Sequence, residues 1–195
     1  MIVLITMSIL ISIKDLWVIK MKEPEVCLRI AMHFIKKGLT QETIFVSLDG
    51  AHIKTKDTIH FDIFWFLKEN GIEKLDGNPE RWQGEYQICG YTPKINICSR
   101  SGIGDVNIIL LTEENLRIEC KQGEENNSSK EYKLMREAIG QIMTSFELTE
   151  DTIPVVAVPF SDKSYALSSK WSQYTQIKQL GIKFFLVKED DIIII

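Results

Sequence analysis

Asp105 to Lys121 reads D-V-N-I-I-L-L-T-E-E-N-L-R-I-E-C-K. Val106, Ile108, Leu110, Leu116, Ile118 and Cys120 are apolar, while Asp105, Asn107, Arg117, Glu119 and Lys121 carry polar groups. Alternation at period two marks a half-buried strand, because successive side chains point to opposite faces. The spacing predicts a hairpin: a strand over Asp105–Thr112, a turn at Glu113-Glu114-Asn115, and a return over Leu116–Lys121. Pairing Ile109 with Glu119 and Asn107 with Lys121 sets Asp105 at the same end, and on the same face, as Lys121. One face of the hairpin then gathers two carboxylates and an ammonium.

Working outward toward the C-terminus, the next stretch, Gln122 to Glu131, holds no apolar side chain and reads as a solvated loop. It ends in a capping-box pattern, Ser128-x-x-Glu131. A helix continues from there to about Glu147. Its buried stripe is Met135, Ala138, Ile139, Ile142, Met143 and Phe146, with Lys133, Glu137 and Gln141 along one flank. Pro154–Pro159 is a short apolar strand of the kind found inside parallel sheets. Ser161 or Asp162 caps a further helix that ends at Gly181, with Leu167, Trp171, Tyr174 and Ile177 facing inward. Ile182–Val187 is a strand, and Ile192–Ile195 adds an edge. Hairpin, helix, strand, helix, strand is an α/β order. It implies a three-layer α/β/α arrangement around a central mixed sheet covered on both faces.

Toward the N-terminus, Pro24–Lys37 reads as a helix with Cys27, Ile30, Ala31, Phe34 and Ile35 at three-four spacing and Gly38 as its stop. A second helix is expected over Thr58–Asn70, its Phe61, Phe64, Trp65 and Phe66 forming a core stripe rather than a base-stacking platform. Residues 73–83 are turn-rich, and Tyr86–Ser99 reads as one or two strands. The expected organisation is an apolar N-terminal segment, 1–21, and a single domain, 22–195. That domain divides into a helical part, 22–85, and a core, 86–195. Met1–Ile13 is uncharged and apolar, without a basic n-region or a small-residue cleavage site. It is too short to span a bilayer. The expectation is a translation start assigned too early, with Met7 and Met21 as other starts, or a loosely attached segment.

The chain has 195 residues, 45% hydrophobic and 26% charged, with a net charge of -4. Such a composition suits one globular domain and excludes disorder, collagen and coiled coil as descriptions of the whole. A chain of this sign is not a bulk polycation, so a nucleic acid would be held by a local basic face or a bound metal. The four cysteines show no C-x-x-C pair, which points to free thiols in a reducing, cytoplasmic setting and away from a zinc knuckle. No P-loop, G-x-G-x-x-G or G-x-S-x-G is present. Asp49, His52, His60 and Asp62 match no ligand spacing, and His33 reads as structural. Lys54-Thr55-Lys56, with Lys36-Lys37, forms a modest patch for phosphate contacts.

Two carboxylates on adjacent strands, with a lysine two residues after the second, suit phosphodiester hydrolysis. Asp105 and Glu119 offer hard oxygen donors to Mg²⁺ or Mn²⁺, and the main-chain carbonyl of Cys120 lies between them as a further ligand. Lys121 has three roles open to it: orienting the water, deprotonating it, or stabilising the transition state. The plain alternative is a solvated hairpin face with Glu119 and Lys121 as an exposed ion pair.

Gly104-Asp105, thirteen residues, then Glu119-Cys120-Lys121 resembles the PD-(D/E)xK nuclease superfamily, with its restriction-endonuclease-like core. The resemblance runs from the hairpin to about Lys188. It implies that Asp105 and Glu119 bind metal and that Lys121 is the catalytic lysine. It also implies an assisting polar residue on the next helix, best matched by Gln141. Many members carry a glutamate on the helix before the sheet, and Glu25, Glu69 and Glu85 compete for that place. Gly104 stands where the motif has proline. The function implied by the resemblance is that of a Mg²⁺-dependent nuclease, a DNA endonuclease of restriction, defence or repair type. Its partner would be a nucleic acid, with a homodimer as one route to cutting both strands, and with no membrane. The alternative is a non-catalytic nucleic-acid-binding or assembly subunit on the same fold.

Overall fold

The computed structural model describes residues 21–100, 102–123, 128–145 and 147–195. The segment 1–20 therefore lies outside the described residues, as do Glu124, Glu125 and Phe146.

Helix α1, Glu23–Lys36, opens the domain, with a proline in its first turn, Glu23 and Glu25 at the positive end of its dipole, and His33 and Lys36 at the other. Gly38 comes next at φ 66, a left-handed stop that glycine adopts at least cost. Most of α1 is buried, including Val26, Leu28, Ile30, Ala31 and Ile35. It is a core helix rather than an amphipathic surface one.

The strands are β1 (Ile44–Ser47), β2 (Lys54–Thr55), β3 (Thr58–Ile59), β4 (Ile72–Lys74), β5 (Gly84–Ile88), β6 (Lys94–Cys98), β7 (Val106–Ile109), β8 (Asn115–Cys120), β9 (Thr152–Pro159), β10 (Lys183–Val187) and β11 (Ile192–Ile194). The further helices are α2 (Gly50–Ile53), α3 (Ile63–Glu69), α4 (Ser128–Ser145), α5 (Asp162–Trp171) and α6 (Thr175–Gln179). Nine strands form one mixed sheet in the order β11-β10-β9-β8-β7-β1-β6-β5-β4, and β2 with β3 forms a small separate ribbon. The pairs β1–β6, β8–β9 and β9–β10 are parallel and the others antiparallel.

Alternate residues of one strand feed two different cores. Val155 and Ala157 join α1 and α3 on one face, while Val156 and Val158 meet Met135, Ala138 and Ile142 of α4 on the other. The chain is mixed α/β with helices on both faces, as its element order implies. Coverage is uneven, however. On the α4 side Phe45 and Ile109 remain 38% and 43% exposed, because α4, α5 and α6 reach only the β8–β10 half.

Several local expectations are corrected. Residues 22–85 are not simply helical, since β1, β4 and the start of β5 lie within them and β1 sits in mid-sheet between β7 and β6. The aromatic helix starts at Ile63, capped by Asp62, whose side chain accepts from the amide of Trp65 at 3.0 Å. Phe64 and Trp65 are 46% and 61% exposed, so the aromatic stripe is only half core. Met143 and Tyr174 also face outward.

The hairpin register differs too. The pairs are Val106 with Ile118, Asn107 with Arg117, Ile108 with Leu116 and Ile109 with Asn115. The turn is centred on Thr112, with Glu113 amide to Leu110 carbonyl at 2.9 Å and Leu110 amide to Glu114 carbonyl at 2.9 Å. Glu113 adopts φ 70, giving a three-residue loop with a left-handed third residue. A turn centred two residues earlier moves the pairing by an even number, so every side chain keeps its face while Asp105 comes level with Glu119.

Candidate functional site

Asp105 sits at the entry to β7, held by its own backbone. Its amide donates to the carbonyl of Ile118 at 2.9 Å, and its carbonyl accepts from the amide of Ser47 at 2.7 Å. Gly104 before it has φ 76. Proline is fixed near φ of about -65°, so the bend that aims Asp105 into the site excludes it here. The carboxylate is also tied down, since the amide of Cys120 donates to Asp105 Oδ2 at 2.7 Å. Glu119 comes level with it across the hairpin, close enough for the two carboxyls to act on one another.

The polar face of the hairpin is not solvated at this end. Glu119 is 4% exposed and Lys121 is 6% exposed. Helix α4 packs over β8 from one side and α1 from the other. Lys121 reaches both helices: its Nζ lies 3.8 Å from Glu23 Oε2 at the start of α1 and 3.5 Å from Glu137 Oε1 on α4. Glu23 Oε1 in turn lies 3.0 Å from His52 Nδ1 on α2. Glu23, His52, His60, Lys121 and Glu137 line a cavity of about 370 Å³. Glu23 and Lys121 thus belong both to the cavity wall and to the cluster that holds Asp105 and Glu119.

The electrostatics arise from this packing. Burial, then the Asp105 carboxylate, pushes the Glu119 carboxyl up to about 8. Burial also raises Glu23 and Asp105, against the pull of Lys121 on both and of the Cys120 amide on Asp105. For Lys121 burial would lower the ammonium, but Glu23, Asp105, Glu137 and Glu119 outweigh it and hold it above the ordinary lysine value. With no cation bound, these surroundings keep Lys121 an ammonium. More carboxyl groups than cations converge here, and at Glu119 and Glu23 the neighbouring Asp105 adds to the upward push of burial. Such a cluster would suit a divalent cation with oxygen ligands, to which Glu23, Asp105 and Glu119 could contribute.

A second donor set adjoins the first. The thiols of Cys27 on α1 and Cys120 on β8 and a carboxylate oxygen of Asp105 all lie within 4.8 Å of one another. Asp105 is common to both sets.

Of the residues singled out in the sequence, Asp105, Glu119 and Lys121 are brought together. Gln141 lies one helical turn after Glu137, but it does not line the cavity, and its buried Oε1 has no hydrogen-bond partner among the described residues. The α4 residue that touches the cluster is Glu137. None of the three competing glutamates reaches it. Glu25 pairs with Arg29 at 2.8 Å, Glu85 pairs with Lys94 at 2.9 Å, and Glu69 is exposed at the end of α3. The glutamate of α1 that reaches the cluster is Glu23. Its signal was Pro24, which sits at the second helical position and so makes Glu23 the first. Glu131, expected in a capping box, accepts from the Ser161 hydroxyl at 2.8 Å. Asp49 caps α2 by accepting from the Ala51 amide at 2.8 Å.

No protein-family model matches the chain, no curated protein matches it, and no solved structure matches it. Among the described residues no helix is long and apolar enough to cross a membrane.

Proposed function

We propose that the protein is a divalent-cation-dependent nuclease, a DNA endonuclease whose centre is Glu23, Asp105, Glu119 and Lys121. The observation that carries this is the convergence of three carboxyl groups, Glu119 buried and Glu23 and Asp105 half-buried, on one buried lysine beside an open cavity. Charged groups are seldom buried unless paired, and here the acids outnumber the lysine. A merely structural hairpin face would have left Glu119 and Lys121 in water. Strongly perturbed carboxyls at a cleft are the expected signature of a working site.

Mg²⁺ or Mn²⁺ held by Glu23, Asp105 and Glu119 would lower the pKa of a bound water and polarise the phosphate. The chain's own groups divide the remaining work. The Cys120 amide fixes the Asp105 carboxylate, and His52 fixes that of Glu23. Lys121, kept as an ammonium, donates to a phosphate oxygen and offsets the charge that builds there as water attacks phosphorus and the bridging P–O bond breaks. The ribbon β2–β3 stands next to the cavity through His52 and His60 and carries exposed Lys54 and Lys56, which suit backbone phosphates.

The test is cleavage of plasmid, linear, single-stranded and branched DNA with Mg²⁺ or Mn²⁺, run beside Lys121→Ala. Cleavage by wild type and its loss in the variant are expected. Folded wild type that cuts no DNA or RNA form, or an equally active variant, overturns the reading.

A further inference from the structure

Cys27 and Cys120 take no part in the chemistry just described through their side chains, yet they lie against it. They are the two buried cysteines of the chain, 1% and 0% exposed, whereas Cys89 is exposed and Cys98 is partly so. Cys27 lies one turn of α1 after Glu23. Cys120 separates Glu119 from Lys121 on β8, and its side chain points to the opposite face of the sheet, toward α1. The two thiol sulfurs lie within 4.8 Å of each other.

We propose that Cys27, Cys120 and Asp105 form a binding site for a thiophilic divalent cation of the Zn²⁺ class, separate from the oxygen site but sharing Asp105 with it. Zinc takes thiolates at about 2.3 Å and carboxylates at about 2.0–2.2 Å, so tetrahedral ligand atoms stand about 3.5–4 Å apart. The three donor atoms already lie within 4.8 Å of one another, so closure on an ion needs movements of about 1 Å or less. Thiolate ligands select such an ion over Mg²⁺, which prefers oxygen and keeps its waters. Each thiol gives its proton to water as its sulfur takes the ion. Because Asp105 belongs to both sets, filling the thiol site competes with the oxygen site. That consequence rests on the nuclease reading, whereas the binding itself does not.

The experiment is titration with Cd²⁺ under a non-thiol reductant, tracking the cadmium–thiolate charge-transfer band. Wild type, Cys27→Ser, Asp105→Asn and Cys89→Ser are compared, and cadmium NMR of wild type counts sulfur ligands without any substitution. One ion per chain with two sulfur ligands is expected. Affinity should fall about tenfold or more in Cys27→Ser and Asp105→Asn and hold in Cys89→Ser. Absence of the band, fewer than two sulfur ligands, or a band of undiminished intensity and affinity in Cys27→Ser overturns the proposal. Mn²⁺ titration of the same samples reads the oxygen site alone. Cd²⁺ binding without Mn²⁺ binding contradicts the nuclease reading, and the reverse contradicts this one.

Discussion

Lys121 Nζ lies 3.8 Å from Glu23 Oε2, joining the last residue of the E-C-K stretch to the first residue of a helix almost a hundred positions earlier. Glu23 is thereby held between Lys121 and His52, since its other oxygen lies 3.0 Å from His52 Nδ1. Glu23→Gln keeps the shape and removes the charge. We expect Mn²⁺ affinity to fall by about tenfold to a hundredfold, as measured by calorimetry, with little loss of fold. Unchanged affinity would remove Glu23 from the site.

Glu119 gives a pH signature. Its carboxyl rises from an ordinary 4.5 to about 8, first by burial and then by Asp105. Between those values the folded chain keeps a proton that the unfolded chain has lost, so stability falls as pH rises through that window. Glu23 and Asp105, also raised, act in the same direction, while the raised Lys121 titrates above the window. Thermal melts in chelator should therefore drop from about pH 5 to about pH 8. Glu119→Gln should flatten that slope, and Mn²⁺ should raise the melting temperature more at the alkaline end. A melting temperature that climbs over this range contradicts the burial of the carboxyl cluster.

Zn²⁺ should inhibit Mg²⁺-dependent cleavage, because the thiol set and the oxygen set both need Asp105. In Cys27→Ser the inhibition midpoint should move up by about tenfold or more, measured against the Mg²⁺-supported rate of the same variant. Equal midpoints would place the inhibitory ion elsewhere.

Lys54 and Lys56 lie on the β2–β3 ribbon, between the cavity-lining His52 and His60 in sequence, and Lys56 adopts φ 52 at its turn. Removing both should weaken binding of a DNA duplex uniformly across sequences. It should also lower the slope of log affinity against log salt by about two, since each phosphate contact contributes about 0.9. Filter binding or anisotropy at several salt concentrations measures this. An unaltered slope would show that the ribbon does not meet the backbone.

Much of the second half was legible because its periodicities are long and its punctuation strong. The hairpin faces, α4, the apolar β9 and the Ser161 cap are all matters of local pattern, and Ser161 accepts from the Ser164 amide at 2.9 Å. The hairpin register was not legible. It depends on Glu113 taking a left-handed conformation without being glycine, which no turn residue announces. Strand β1 is only I-F-V-S, too short for alternation to stand out, yet it occupies mid-sheet by tertiary pairing. The roles of Glu23 and Glu137 depend on which helices close over the end of β8, a relation fixed by packing of α1 and α4 on opposite faces. The same packing turned an apparently exposed polar face into a buried one.

Lys121→Ala carries a complication of its own. Removing the one buried lysine from among these carboxyl groups would leave them uncompensated, at a cost of up to about 3–5 kcal/mol. Glu119→Gln is the cleaner probe, because it replaces a carboxyl that already holds its proton near neutral pH with a neutral amide of the same volume. The decisive measurement is nicking of supercoiled plasmid in Mn²⁺ by wild type and Glu119→Gln, at equal folded fraction. Wild type should cut, and the variant should be slower by about a hundredfold or more. Equal rates, or an inert wild type that is well folded, would contradict the claim that this carboxyl cluster hydrolyses phosphodiesters.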